Sequence, residues 1–140
     1  MSLYLDASAL LPAFIPEPSS ATVAAFLRAA DDALLVGTFA AAEVASAVSR
    51  LARTRQLTSL EANSALLAFD EWCAIGADMV EVEPIDVRLA AVFVRRFDLM
   101  LRAPDALHIA VCQRLGSTLV TLDLRLAAAA RDLGVEVSVP

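Results

Sequence analysis

The stretch LYLDASALLP, residues 3–12, decides how this chain is read. Leu3-Tyr4-Leu5 has the composition of a buried strand. Asp6 follows with no polar spacer, and Ala-Ser-Ala-Leu-Leu then resumes the apolar run. A charge at the end of a core strand is costly unless something compensates it. Strand ends do have one use for such a charge: in an open parallel sheet, ligands bind beyond the carboxyl ends of the strands.

The pattern downstream of that stretch predicts such a sheet. Ser19 and Ser20 offer caps to a helix over 21–30, with Val23, Phe26 and Leu27 on one face. Leu34-Leu35-Val36 reads as the second strand. Thr38 is expected to cap a helix running to about Arg53, with an apolar stripe of Val44, Ala47, Val48 and Leu51. Thr58-Ser59-Leu60-Glu61 is a capping box opening a helix to about Ile75. Met79-Val80-Glu81-Val82 reads as a strand, and Asp86 as the cap of a helix to about Phe97. Pro104 fits the first turn of a helix that reaches Leu115 and stops at Gly116. Leu119-Val120-Thr121 is a strand, 124–132 a helix ending at Gly134, and Val135-Glu136-Val137 a last strand. Strands separated by helices pair in parallel through right-handed crossovers. The fold class is therefore α/β: one domain over 1–140, with about five parallel strands and helices on both faces.

Composition narrows the function classes. With 59% hydrophobic and 20% charged residues, the 140-residue chain is not disordered. No run approaches the roughly 18 uninterrupted apolar residues of a membrane span. No basic region precedes the first apolar run, so a secretory signal is not expected and the protein is read as cytoplasmic, without membrane association. A mean hydropathy of +0.66 predicts apolar surface for a homodimer or a protein partner. Cys73 and Cys112, far apart in separate helical patterns, read as free buried thiols. A formal charge of −6 argues against a broad basic surface for nucleic acid. It leaves open an enzyme whose positive field comes from bound metal and local arginines. All eleven basic residues are arginine.

At least three of four candidate acids are expected on the edge where ligands bind. Asp6 follows the first strand, and Asp123 follows the strand at 119–121. Glu43 lies one turn into the helix after the second strand. Its helix neighbours Phe39, Ala40, Ser46 and Ala47 offer no salt-bridge partner. Asp105 sits in the first turn of the helix that leads into 119–121. That helix is expected to begin at the opposite edge, so the 98–104 segment must cross over for Asp105 to join the others. Each acid also has an ordinary reading: Asp6 as a turn acid, Asp123 as a helix cap, Asp105 as a complement to the helix dipole, and Glu43 as a side chain reaching for solvent. Parallel topology gives the combination its meaning, because it sends at least three of the four to one place.

Gathered carboxylates must take up protons or hold a cation. Oxygen ligands without neighbouring His or Cys favour Mg²⁺ or Mn²⁺ over zinc. Such ions suit phosphodiester hydrolysis, with Ser8 and Thr121 flanking the site as hydrogen-bonding groups. Other chemistries fail on composition. Gly37, Gly76, Gly116 and Gly134 are isolated, so no phosphate cradle or dinucleotide fingerprint is present. The absence of lysine excludes a Walker loop and a Schiff base. His108, the one histidine, has no nucleophile elbow to serve, and reads as a packed helix residue or as a donor behind the acids.

Leu-Tyr-Leu-Asp-Ala-Ser-Ala-Leu at the start, Ala-Ala-Ala-Glu-Val-Ala-Ser-Ala around Glu43, Pro-Asp-Ala-Leu-His-Ile-Ala around Asp105 and Leu-Val-Thr-Leu-Asp-Leu-Arg-Leu at Asp123 together resemble the PIN-domain nucleases. Within them the chain looks most like the VapC toxins of bacterial toxin–antitoxin pairs. The resemblance covers essentially the whole chain. It implies a PIN-like three-layer fold, a Mg²⁺- or Mn²⁺-dependent endoribonuclease, a homodimer, and inhibition by a cognate VapB-type antitoxin. Matched motif by motif, it implies that Asp6, Asp105 and Asp123 hold metal and that Glu43 completes the acidic pocket, directly or through water. It also implies that Asp105 joins the cluster, and it matches Ser8 and Thr121 to polar positions beside the pocket. Arg102, next to Asp105, leads the candidates for RNA phosphate, ahead of Arg50, Arg53, Arg55, Arg95 and Arg96. Receiver domains and haloacid-dehalogenase phosphatases also carry acids on an α/β edge, but both need a lysine that this chain lacks. The remaining alternative is a catalytically silent PIN-like interaction module.

Overall fold

Tyr4 and Leu5 stand side by side in the first strand and face opposite layers of the molecule. The two-residue period of a strand divides the core in this way. In the computed structural model, which describes residues 1–140, five strands form one parallel sheet. They are β1 (Ser2–Leu5), β2 (Ala33–Gly37), β3 (Asp78–Val80), β4 (Thr118–Val120) and β5 (Val137–Ser138). The order across the sheet is β3-β2-β1-β4-β5, so the chain winds outward from β1 in one direction and then in the other. The point of reversal lies between β1 and β4, where Leu5 is level with Val120.

The helices are α1 (Ala7–Leu10), α2 (Ser20–Ala29), α3 (Thr38–Arg53), α4 (Ser59–Gly76), α5 (Pro84–Phe93), α6 (Ala103–Leu115) and α7 (Leu124–Asp132). One layer packs Leu10, Val44, Val48, Ala62 and Phe69 from α1, α3 and α4 against Leu5, Val36 and Val120. The other packs Phe93, Ala106, Ile109, Leu126 and Ala130 from α5, α6 and α7 against Tyr4 and Leu119. Leu5, Leu10, Ile109 and Leu119 are fully buried, and each side chain gains about 2 kcal/mol over exposure to water. The expected α/β architecture is the observed one.

Local differences have local causes. α1 is a single turn that the sequence reading passed over as more apolar run. Asp6 caps it, accepting the Ala9 N–H at 3.0 Å, and Pro12 turns the chain directly after it, within a 3₁₀ turn over Leu11–Ala13. Thr38 is the first residue of α3 and not its cap. Its hydroxyl donates to Glu81 instead. Ser19 precedes α2 without a side-chain cap bond, while the Ser20 hydroxyl donates to the Ile15 carbonyl. The Thr58–Glu61 capping box forms as read. Glu83 takes the capping position of α5. Asp86 lies inside that helix, fully buried, with Arg114 of α6 donating to both of its oxygens at 2.8 and 2.9 Å. This ion pair ties α5 to α6. α5 also ends at Phe93, short of the expected Phe97, because the chain breaks into a 3₁₀ turn over Phe97–Leu99 followed by Met100 at φ 51°.

That break leads to α6, and the expectation that this helix starts at the far edge is corrected. A parallel strand must be entered at its amino end, so α6 finishes there. Its 13 residues rise about 20 Å and put its start at the carboxyl edge. Gly116, at φ 63°, ends the helix in a left-handed conformation before β4.

Candidate active site at the strand switch

Asp6 leaves β1 in the crevice that the winding reversal opens. Its backbone N–H continues the ladder to the Val120 carbonyl, and its carboxylate is 4% exposed. The Ser8 hydroxyl donates to Oδ1 at 2.7 Å and the Thr121 hydroxyl to Oδ2 at 2.8 Å. Each hydroxyl has one proton and gives it to Asp6. As acceptors, Ser8 takes the Leu122 N–H and Thr121 takes the Asp123 N–H. Burial pushes the Asp6 carboxyl above its ordinary value, against the Ser8 and Thr121 hydroxyls, nearby His108 and the Ala9 N–H, which all favour the charged form. Asp6 is thus a carboxylate desolvated by the fold and held by donors on both oxygens.

Asp123 follows β4 across the same crevice. Its Oδ1 accepts the N–H groups of Arg125 and Leu126, so it also caps α7. The helix-cap reading of this residue is therefore correct in the structure. Asp105, at the start of α6, lines one hollow of about 240 Å³ with Asp123, Arg102 and Arg125. Arg102 Nε donates to Asp105 Oδ2 at 3.2 Å. Asp105 first, then the fields of Asp123 and Glu43, raises the guanidinium above its ordinary value. Arg102 is therefore a cation in the field of three of the four acids, with Arg125 lining the same hollow.

Glu43 projects from α3. His108 of α6 reaches it, with Nε2 2.6 Å from Glu43 Oε2. The other imidazole nitrogen, Nδ1, lies 3.0 Å from the Tyr4 hydroxyl. The sequence reading took Tyr4 as plain strand core and missed this contact. Its signal was a phenol between two leucines, since a buried tyrosine hydroxyl needs a partner.

The four acids are neighbours, but they do not share one ready ligand shell. No three of the chain's carboxylate, imidazole or thiol side chains come together as a metal-holding cluster. Asp105 and Asp123 share a hollow, Asp6 sits between Ser8 and Thr121, and Glu43 turns to His108. Each acid has its own hydrogen-bond partners within the fold. The donor set, all oxygen and acidic around one crevice, suits a hard divalent cation.

Among solved structures, the chain is similar to VapBC2 from Rickettsia felis bound to a DNA fragment from its promoter. That match has 15% identity and a TM-score of 0.73, and covers 100% of this chain and 99% of that one. It is similar to VapC20 of Mycobacterium tuberculosis, a sarcin-ricin loop cleaving toxin, with 15% identity, a TM-score of 0.73, and coverage of 91% and 94%. It is also similar to FitAcB from Neisseria gonorrhoeae, with 17% identity, a TM-score of 0.70, and coverage of 96% and 95%. At these identities the likeness is one of fold. No curated protein matches the sequence. The PIN domain model matches residues 3–132, nearly the whole chain from β1 to the end of α7, and the chain belongs to the PIN domain family.

Proposed function

We propose that this chain is a Mg²⁺- or Mn²⁺-dependent endoribonuclease, the toxin of a VapBC-type pair. The observation that carries the reading is Thr121 at the β1–β4 crevice, whose hydroxyl donates to Asp6 and accepts the Asp123 N–H, with Asp105 lining the hollow beside Asp123. Asp6, Asp105 and Asp123 would hold the ion, with Glu43 as a ligand or holding a water. When bound, a divalent ion supplies activation of water and charge stabilisation at phosphorus. The chain's own groups do the rest. Ser8, Thr121 and the Ala9 N–H favour the charged form of Asp6 against its burial. Arg102 and Arg125, at the mouth of the hollow, offer guanidinium forks to backbone phosphate. They give an acidic protein a local positive patch.

The exposed apolar surface supports protein partners, an antitoxin and a second copy. One apolar hollow of about 400 Å³ lies between α5, α6 and Phe39. Another, of about 480 Å³, lies between α4 and the Phe14–Pro16 turn. No helix is long and apolar enough to cross a membrane.

The separation of the acids favours a second reading, a silent interaction module. Purified, partner-free protein incubated with total RNA tests the first. Cleavage with Mn²⁺ that EDTA abolishes and Asp6→Ala removes is the expected result. Calorimetric titration separates the two readings, because a module without a site shows no Mn²⁺ binding that depends on Asp6.

A further inference from the structure

His108 is the only histidine in the chain, and the fold has built a socket for it. Its side chain is 4% exposed. The Tyr4 and Phe39 rings flank the imidazole, with centroids at 5.8 and 5.5 Å and tilts of 52° and 47°. Both ring nitrogens have partners: Glu43 Oε2 at 2.6 Å and the Tyr4 hydroxyl at 3.0 Å. Gly37 completes the socket. A Cβ there would collide with the Tyr4 hydroxyl, so the glycine at the end of β2 lets that hydroxyl stand where it meets Nδ1.

The proton count fixes the direction of the relay. A carboxylate oxygen only accepts, so Nε2–H donates to Glu43. In the neutral ring Nδ1 is then the acceptor, and the Tyr4 hydroxyl donates to it. Burial first, then Cys112, Glu43 and Asp6, pushes the Tyr4 phenol far above its ordinary value, so it keeps the proton it donates. Strands β1 and β2 thereby select one tautomer of a histidine on α6, and that tautomer holds a glutamate on α3.

We propose that His108 is a positioning residue: set by Tyr4 through Nδ1, it holds Glu43 through Nε2–H in one orientation at the acidic crevice. The inference rests on the nuclease reading above, because it gives Glu43 a task there. A free glutamate on a helix surface samples many rotamers. One tied to a buried ring keeps a single orientation, and outer partners of this kind typically carry about ten- to a hundredfold in metal affinity or activity.

The test uses the full chain and its single imidazole. In metal-free parental protein, ¹⁵N spectra should show protonated Nε2 and unprotonated Nδ1, and Tyr4→Phe should weaken that preference. Calorimetry with Mn²⁺ alone should show affinity falling about tenfold or more in His108→Leu and mostly restored in His108→Gln, whose amide can donate to Glu43. A purely structural role would lower the melting temperature of both variants without separating their Mn²⁺ affinities. Parental affinity in His108→Leu, equal loss in the leucine and glutamine variants, or an Nδ1–H tautomer overturns the clamp while the nuclease reading stands. Parental protein that binds no Mn²⁺ overturns the nuclease reading and the clamp with it. If His108→Leu does not fold, Tyr4→Phe decides: an unchanged tautomer and unchanged Mn²⁺ affinity sink the proposal.

Discussion

Thr121 donates its hydroxyl proton to Asp6 Oδ2 at 2.8 Å, across 115 positions of sequence. The bond joins the ends of β1 and β4. It satisfies half of a desolvated carboxylate with a fully buried hydroxyl. Thr121→Val keeps the shape and removes the donor, leaving Asp6 Oδ2 and the Asp123 N–H without it. The expected cost is about 2 kcal/mol, read as a shift in urea midpoint, with Thr121→Ser recovering most of it. A valine variant as stable as the parent would show that the bond carries no net weight.

Asp6→Asn should affect activity and stability in opposite directions. Cleavage falls to background, while stability at neutral pH stays equal or rises. The folded Asp6 carboxyl lies above its unfolded value because burial disfavours its charge. Such a group contributes fully below the unfolded value of about 3.9, and that contribution is lost as pH rises through the folded value. The advantage of the asparagine variant should therefore vanish near pH 3 and reach its full size above the folded value. Melting temperatures of both proteins from pH 3 to 7 check it.

The Asp86–Arg114 pair follows the other sign. Burial raises Asp86, but the Arg114 guanidinium and the Glu83 N–H outweigh it and hold the carboxyl below its ordinary value. Its contribution is present above about pH 3.9 and is lost as pH falls through the lower folded value. Arg114→Met strands a buried charge and should cost about 3 kcal/mol at pH 7. Asp86→Asn combined with Arg114→Met should be milder than the single methionine change. A double-mutant cycle by denaturant unfolding measures the coupling.

Gly37→Ala should destabilise by about 1–3 kcal/mol, because the new methyl meets the Tyr4 hydroxyl. Combining it with Tyr4→Phe removes the closest colliding atom and should recover part of the loss. Additive costs in the double variant would place the strain elsewhere.

Asp105→Ala removes the acceptor of Arg102, a solvent-screened ion pair that contributes little to stability. The melting temperature should barely move while RNA cleavage is lost. Cleavage at the parental rate would remove Asp105 from the site.

Much of this molecule was legible before any coordinates. The alternation of β-rich runs with 3.6-period helices is local information, and it led to the parallel sheet and to helices on both faces. The ends of β1 and β4 were placed within a residue or two, so Asp6 and Asp123 were placed at one edge. Asp86 and Thr38 were misassigned as caps because a polar residue before an apolar stripe looks the same whether its partner is the next turn or another helix. Arg114 lies 28 positions beyond Asp86 and Glu81 lies 43 beyond Thr38, distances that no local pattern registers.

Residue order along the chain was enough to put Asp6, Glu43 and Asp123 on the ligand edge, since strand direction and period follow from neighbouring residues, but it set the start of the Asp105 helix at the opposite edge. It could not say how each acid is held. Asp6 between two hydroxyls, Arg102 beside Asp105 and Glu43 on His108 are set by contacts between separate elements. Those contacts exist only once two core layers have fixed the helices against the sheet, because a hydrogen bond is decided within a few tenths of an ångström.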